Sequence, residues 1–288
     1  MNSGPATSIH EGDIPMSSLM PESVDVMQTE ERYREFYDRL GRDYPESEMI
    51  HGTDPFKKNF LLDRLAPFAE QGVSMLDIGC NDGVYSIPYG QMGGTAHGID
   101  ISAALVEKAR RRASGLPVTF EVADIEEFHS EEKYGLVLMS EVIEHVRRPD
   151  RAIAKAVAAL RPRGELLLST PSAYCHVSTL RYVVELLKRK ELTAEDVIYT
   201  DSDTCVLGKD WGIHGFKYRH DGYYLYAMCD WLSSFGLRRI KSFTLGMAPY
   251  RRPFRTVLRS LESKLRTSSV PGINLFGLTC VVLMEKKA

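Results

Sequence analysis

One stretch, residues 73–86, constrains the fold of this chain more than any other. Residues 73–78 form a short apolar run that carries Asp77 near its end, which is typical of a buried strand in a parallel sheet. Gly79 and Gly83 follow, and glycine lets a backbone bend sharply and approach a ligand closely. A helix that begins near this bend leaves free N–H groups beside that ligand. The stretch therefore predicts a strand, a tight bend and a helix that together form a ligand-binding edge.

Three further apolar runs end in acidic residues. Ala96 to Asp100 predicts a second strand, and an acid about 20 residues after the first strand can bind both hydroxyls of a ribose. Val118 to Asp124 predicts a third strand, whose final acid is placed to accept a hydrogen bond from an adenine amino group. Leu136 to Glu141 predicts a fourth. We expect Asp77, Asp100 and Asp124 to meet at the carboxyl edge of one sheet.

Later segments continue the alternation of strand and helix. Pro149 to Leu160 predicts a crossover helix, and Glu165 to Ser169 a fifth strand. After a helix over 222–236, the sixth and seventh strands are predicted at 237–245 and 276–284. This order is that of an α/β fold, a doubly wound, Rossmann-like sheet with helices on both faces.

Together these stretches resemble the class I S-adenosylmethionine-dependent methyltransferases, particularly the branch that includes the ubiquinone-biosynthesis O-methyltransferases. The resemblance covers residues 55–172 well. It implies a seven-stranded, mostly parallel sheet with its last strand antiparallel, an inserted lid on the substrate side, and S-adenosyl-L-methionine as the cofactor. The chain is accordingly expected to be a methyltransferase.

The resemblance also implies which residues contact the cofactor. The loop on the methionine side, the ribose acid, the adenine contacts and the end of the fourth strand give this set: Asp77, Gly79, Cys80, Asn81, Gly83, Asp100, Ile101, Asp124, Ile125 and Ser140. Asn81 stands where the loop commonly has a third glycine. Asparagine adopts turn geometry more readily than most residues, so this departure is compatible with the loop.

Nicotinamide dinucleotide binding is the direct competitor, because that fold also places glycines after its first strand and an acid after its second. Its fingerprint is Gly-x-Gly-x-x-Gly, whereas this bend offers only Gly79 and Gly83. A purely structural interpretation, in which the glycines close a turn and the acids cap strands, explains the four ordered matches less well.

Composition restricts the partners and the compartment. The chain has 288 residues, a net charge of −3 and a pI near 6.3, which give no general argument for nucleic acid or anionic membranes. Its five cysteines are odd in number and contain no Cys-x-x-Cys pair, as expected for reduced thiols in a cytosolic protein. No leader or long apolar span is evident. A cytoplasmic location is predicted.

The domain organisation is expected to be simple. Residues 1–27, rich in Ser, Pro and acids, predict a flexible tail, and 28–288 a single methyltransferase domain. A helix at 28–40 either covers an edge of the core or forms a lid. Residues 173–221 and 246–275 are predicted as substrate-side insertions, the first being the main candidate for acceptor recognition.

The second insertion contains an amphipathic basic segment, residues 251–266. It could contact a membrane surface or an anionic substrate, although a surface helix with solvated arginines explains it more simply. Nucleic acid is not the favoured partner. The oligomeric state is open.

Methyl transfer is an in-line displacement in which positioning does much of the work, so the remaining task is to remove a proton from the acceptor. A neutral imidazole suits that task. His145 lies just past the fourth strand, and His214 and His220 lie in the first insertion. The catalytic candidates are therefore His145, Glu141, His214 and His220.

A metal is a less favoured alternative. Glu141, Glu144 and His145 share one face if their segment is helical, and His214 or His220 could complete a shell around a divalent cation. Relatives that methylate terminal RNA riboses use such a set. The cation would lower the pKa of the acceptor hydroxyl.

Three functions are carried forward. The first is methyl transfer to a hydroxyl of a small molecule, such as a natural-product, sugar or quinone-like acceptor. The second is metal-dependent 2'-O-methylation of an RNA ribose. The third is N-methylation, or a non-catalytic subunit that retains the methyltransferase fold.

Overall fold

The protein is represented by a computed structural model, which describes residues 30–43, 55–172, 198–200, 221–223, 225–245 and 279–288. The helices are α1 (Glu30–Asp43), α2 (Pro55–Glu70), α3 (Ser86–Gln91), α4 (Ala103–Arg112), α5 (Pro149–Ala159) and α6 (Leu225–Ser234). The strands are β1 (Ser74–Ile78), β2 (Thr95–Asp100), β3 (Val118–Val122), β4 (Tyr134–Ser140), β5 (Leu160–Pro171), β6 (Ile198–Thr200), β7 (Asp221–Tyr223), β8 (Leu237–Leu245) and β9 (Thr279–Lys286).

Seven strands form one sheet in the order β3-β2-β1-β4-β5-β9-β8. Strands β1 to β5 pair in parallel, while β9 is antiparallel to both β5 and β8. The strand order reverses between β1 and β4, and in such sheets ligands bind where the order reverses, at the carboxyl ends of the strands. The predicted doubly wound sheet with an antiparallel last strand is confirmed.

Both faces of the sheet are covered, which explains the uninterrupted apolar run of β4. Leu136 and Leu138 lie in a core cluster with residues of α2 and α3, whereas Val137 and Met139 lie in the cluster that includes α5 and α6. Successive side chains of a strand point to opposite faces, so a strand buried on both sides is apolar at every position. Strand β1, which leads into the bend, therefore pairs with a strand that is buried on both faces.

Three predicted boundaries were wrong. The helix predicted over 222–236 begins only at Leu225, because Asp221–Tyr223 pairs antiparallel with Ile198–Thr200 in a separate two-stranded sheet. The seventh strand is described over Thr279–Lys286 and extends two residues beyond the predicted end at 284. The fifth extends over Leu160–Pro171, because it is paired with β4 on one side and β9 on the other.

Most of both predicted insertions lies outside the described residues, including His176, His214, His220 and the basic segment 251–266. The predicted tail, 1–27, also lies outside them. Among the helices that the structure describes, none is both long and apolar enough to cross a membrane.

Candidate active site

The bend between β1 and α3 is built on left-handed backbone. Gly79, Asn81 and Gly83 have φ of 69°, 55° and 87°. The N–H groups of Gly79 and Cys80 both donate to the carbonyl of Ile99, at 2.8 and 3.0 Å, which fixes the bend against the end of β2. A Cβ on Gly79 would lie 2.3 Å from Cγ2 of Val142, so this position also requires glycine for space.

Asp77 is buried beneath the bend. Its Oδ2 accepts a hydrogen bond of 2.6 Å from the Ser86 hydroxyl at the start of α3. Burial raises the pKa of the Asp77 carboxyl to about 7, although the Ser86 hydrogen bond opposes this shift. A ligand that brings a positive charge close to Asp77 would favour the ionised form of its carboxyl.

Asp100 joins the bend to the start of α4. Its Oδ2 accepts from the N–H of Asn81 at 2.8 Å, and its Oδ1 accepts from the N–H of Ser102 at 2.9 Å. Burial raises the pKa of Asp100, and these backbone hydrogen bonds oppose the shift. Each carboxylate oxygen has a second lone pair, so both can still accept from ribose hydroxyls. Ile101 lies in the chain between Asp100 and Ser102.

The carboxylate of Asp124 is more fully engaged than the sequence suggested. Its Oδ1 accepts from the N–H of Glu126 at 2.9 Å, and its Oδ2 is 3.0 Å from Nη2 of Arg147. Glu126, also buried, accepts in turn from the backbone N–H groups of Arg147 and Arg148. The predicted adenine acid is therefore tied to the chain that follows His145. Its neighbour Ile125 is buried in the core.

The tips of β4 and β5 form a second polar cluster. Ser140 Oγ is 3.0 Å from Ser169 Oγ, and the Ser169 hydroxyl donates to Oε1 of Glu141 at 3.1 Å. The other oxygen of Glu141 is 2.9 Å from Nζ of Lys57, which α2 buries at this edge. Glu141 has a φ of 56°, so a non-glycine residue in left-handed backbone stands at the strand end. Such strain clusters at functional sites.

Glu144 and His145 lie in a turn, not in the helix on which their shared face depended. Glu144 is buried, and Thr170 donates to its Oε2 at 3.0 Å. Burial, together with the nearby charge of Glu141, raises the pKa of Glu144 well above its usual value. Nε2 of His145 is 3.8 Å from Oε1 of Glu144, and the ring of Tyr37 from α1 lies 6.2 Å away.

The structure thus brings most predicted residues to one edge of the sheet. No group of three His, Cys, Asp or Glu side chains suited to hold a metal occurs within the described part of the chain. Glu141 is instead paired with Lys57, and Glu144 is bonded to Thr170. His214 and His220, which could complete a shell, lie outside that part, so the metal alternative stays a prediction.

Sequence reasoning missed several side chains of this edge. Lys57, Ser86, Ser169, Thr170 and Arg147 all contact a predicted site residue. Ser169 and Thr170 could have been found, since they end a strand adjacent to β4 on the same edge. Lys57 could not, because α2 carries no motif.

A family model described as a methyltransferase domain matches residues 55–224, more than half of the chain. Curated relatives are ubiquinone biosynthesis O-methyltransferases. The one from Rhodopseudomonas palustris strain HaA2 is 29% identical over 147 residues, which are 47% of this chain and 56% of that protein. The one from Xanthomonas axonopodis pv. citri is 30% identical over 149 residues, 49% of this chain and 61% of that protein. The chain thus spans less than two thirds of the length of these relatives.

Solved structures share the fold. Magnesium protoporphyrin IX methyltransferase from Synechocystis PCC 6803, with bound S-adenosylhomocysteine, has a TM-score of 0.52 at 16% identity, over 91% of this chain and 97% of that one. The N-methyltransferase NodS from Bradyrhizobium japonicum, also with S-adenosylhomocysteine, has a TM-score of 0.52 at 15% identity, over 89% and 98%. At such identities the likeness concerns the fold.

The strand order and the family match agree with the fold and the family that the sequence predicted. The individual residue roles remain predictions. The chain belongs to the methyltransferase domain family.

Proposed function

We propose that this enzyme transfers a methyl group from S-adenosylmethionine to a hydroxyl of a small-molecule acceptor of natural-product, sugar or quinone-like chemistry. The supporting observation is the position of His145, a potential base at the end of β4, on the same edge as the glycine bend and its acids. The curated relatives, named as O-methyltransferases, favour a hydroxyl over other acceptors.

The bend and its acids fit an adenosyl cofactor. S-adenosylmethionine, when bound, supplies an electrophilic methyl group on a positively charged sulfur. Asp100 retains acceptor lone pairs for the ribose, and Gly79 leaves no side chain between the bend and Val142. The buried Asp77 carboxyl, whose pKa is raised to about 7, is a site for negative charge when a cation is close.

His145 would remove the acceptor proton. A neutral imidazole takes up a proton near physiological pH, and its Nε2 lies 3.8 Å from the buried Glu144 carboxyl. Burial and the charge of Glu141 raise the pKa of Glu144, and an imidazolium at His145, 3.8 Å away, would favour the ionised form of that carboxyl.

The direct test has two steps. Calorimetry of the purified protein with S-adenosylhomocysteine is expected to show binding, and its absence would refute the proposal. Labelled S-adenosylmethionine is then offered with matched hydroxyl and amine acceptors and with RNA, in the presence and absence of a chelator. Transfer to the hydroxyl compounds that survives the chelator supports the proposal. Transfer confined to amines, or to RNA with a metal, refutes it.

Replacing the base gives a sharper prediction. His145→Gln is expected to lower kcat by about 100-fold or more, since general base catalysis contributes that much. Affinity for S-adenosylhomocysteine should stay within about twofold of wild type, because the imidazole acts on the acceptor. The rise of kcat with pH that reports the base should disappear. His129→Gln is the matched control, because His129 is exposed and contacts Lys155. A kcat for His145→Gln equal to that of wild type would exclude this role.

A cytoplasmic setting is part of the proposal. Cys80, Cys229 and Cys280 are free and buried in the part of the chain that the structure describes, in keeping with a reducing compartment. Thiol titration of the denatured protein, prepared without reductant, is expected to find all five cysteines of the sequence reduced.

A further inference from the structure

The glycine bend contains left-handed backbone, which contacts from other parts of the chain must stabilise. Asn81 holds a φ of 55°, which L-residues other than glycine rarely adopt. On one side, the bend is held by Asp100, which accepts from the N–H of Asn81. The side chain of Asn81 itself accepts from the N–H of Asp82 at 2.7 Å. These contacts do not involve the carbonyl or the carboxylate of Asp82.

Arg112, in the last turn of α4, holds that other side. Its Nη1 donates to the carbonyl of Asp82 at 2.9 Å and is also ion-paired with Oδ2 of the same residue. One guanidinium therefore grips both the backbone and the side chain of the bend. The contact joins the end of α4 to the loop, whereas Asp100 joins the loop to the start of the same helix.

The ion pair between Arg112 and Asp82 differs from a surface ion pair because one of its partners is buried. The Asp82 side chain is 3% exposed, whereas that of Arg112 is 48% exposed. Oδ1 of Asp82 has no hydrogen-bond partner among the described side chains and backbone groups. Without Arg112, a buried carboxylate would be left uncompensated, which destabilises this shape of the bend. A negative charge there would also repel the carboxylate of a bound methionine moiety.

We propose that Arg112 is a positioning residue for the cofactor, which neutralises Asp82 and fixes the bend in the shape that binds the methionine end. This inference rests on the proposed function. The inference goes beyond that function because it assigns part of the cofactor affinity to a half-exposed arginine in the last turn of α4. Arg112 acts through Asp82 and touches neither the acceptor nor the transferred methyl group.

The test compares cofactor binding with turnover. Arg112→Ala is expected to raise the Kd for S-adenosylhomocysteine and the KM for S-adenosylmethionine about tenfold or more, as loss of a charged hydrogen bond does. At saturating cofactor, kcat should stay within about twofold of wild type. Arg112→Lys should fall between the two, because it keeps the charge but loses the planar fork. Arg111→Ala is the matched control, since exposed Arg111 pairs with Glu107 on its own helix.

A double-mutant cycle identifies the partner. In an Asp82→Asn background, Arg112→Ala should have a smaller effect on Kd than in wild type, because no buried charge is left behind. Equal Kd values for wild type and Arg112→Ala overturn the inference, as does a lower melting temperature with unchanged Kd. If Arg112→Ala does not fold, Arg112→Lys and Asp82→Asn decide by the same Kd criterion. Failure of wild type itself to bind S-adenosylhomocysteine refutes the proposed function instead.

Discussion

Asp77 is an acid that folding makes harder to ionise. It lies 1% exposed at the end of β1, and burial raises the pKa of its carboxyl from 3.8 to about 7. The folded protein therefore binds a proton that the unfolded chain has already released over this pH interval. Stability contributed by the group falls as pH rises through the interval. An acid kept at this cost has a reason outside folding, and cofactor binding supplies one.

Replacing Asp77 by Asn should remove that pH dependence. At pH 8, Asp77→Asn is expected to raise the free energy of unfolding relative to wild type by up to about 4 kcal/mol, with a difference that vanishes near pH 4. The amide oxygen can still accept from Ser86. Urea unfolding of the cofactor-free proteins at several pH values measures this. Parallel curves for the two proteins would contradict it. Affinity for S-adenosylhomocysteine should fall in the same variant.

The acids at the edge could be predicted from the sequence, whereas their partners Arg147 and Lys57 could not. Asp77, Asp100 and Asp124 each end an apolar run, a pattern that local sequence carries. Arg147 and Lys57 reach this edge only through the packing of distant segments, so no spacing indicates them. For the same reason, nothing in the sequence indicated that Asp124, the predicted adenine acid, is paired with Arg147.

At the scale of elements, α1 is fastened to the start of α4. Oδ1 of Asp38 accepts from the N–H of Ala104 at 2.8 Å, and Nζ of Lys108 donates to the carbonyl of Gly41 at 2.8 Å. Ser102 caps the same helix by accepting from the N–H of Leu105. Helix α1 also brings Tyr37 to His145. Helix α1 therefore extends from the start of α4 to His145, as a cover of the candidate site would.

Asp38→Ala is expected to lower the free energy of unfolding by about 1 kcal/mol, because it removes a capping acceptor from the start of α4. The same change should weaken S-adenosylhomocysteine binding, since the N–H group of Ala104 that Asp38 caps lies four residues beyond Asp100. Chemical unfolding and calorimetry test the two effects separately. Glu35→Ala, an exposed position on the same helix, is the control and should change neither. Unchanged stability in Asp38→Ala would mean that α1 is not anchored there.

Elements with a strong period were predicted well. The sixth strand, predicted at 237–245, agrees with the observed strand Leu237–Leu245. The segment from Glu141 to Val146 was predicted less well, because its side chains would also fit a helix. Its backbone instead turns at the left-handed Glu141, which is held by Lys57 of α2 and by the hydroxyl and carbonyl of Ser169 of β5.

At the scale of the molecule, β9 is an interior strand that lies between β5 and β8 in the sheet. Val282 pairs with Leu168 on one side and with Ser242 on the other, and it is fully buried. The strand thereby joins the parallel strands β1 to β5 to β8 and α6. The antiparallel last strand followed from the family resemblance, since periodicity alone cannot say which strands are neighbours.

Val282→Ala should therefore destabilise the whole protein. We expect a loss of about 2 kcal/mol, as for other buried truncations, and a single transition seen alike by far-UV circular dichroism and tryptophan fluorescence. Ile240→Ala on β8 is the control, because Ile240 is 45% exposed and should change stability by less than about 0.5 kcal/mol. Two separate transitions would show that the halves unfold independently.

The raised pKa of Asp77 has one more consequence, for the energetics of ligand entry. At neutral pH this carboxyl is close to half protonated, and an arriving sulfonium lowers its proton affinity. Cofactor uptake then ejects a fraction of a proton into the medium, whereas the sulfur-neutral product should eject less. The apparent heat of S-adenosylmethionine binding should consequently vary with the ionisation enthalpy of the buffer. The enzyme would discriminate substrate from spent cofactor more strongly in alkaline than in acidic solution.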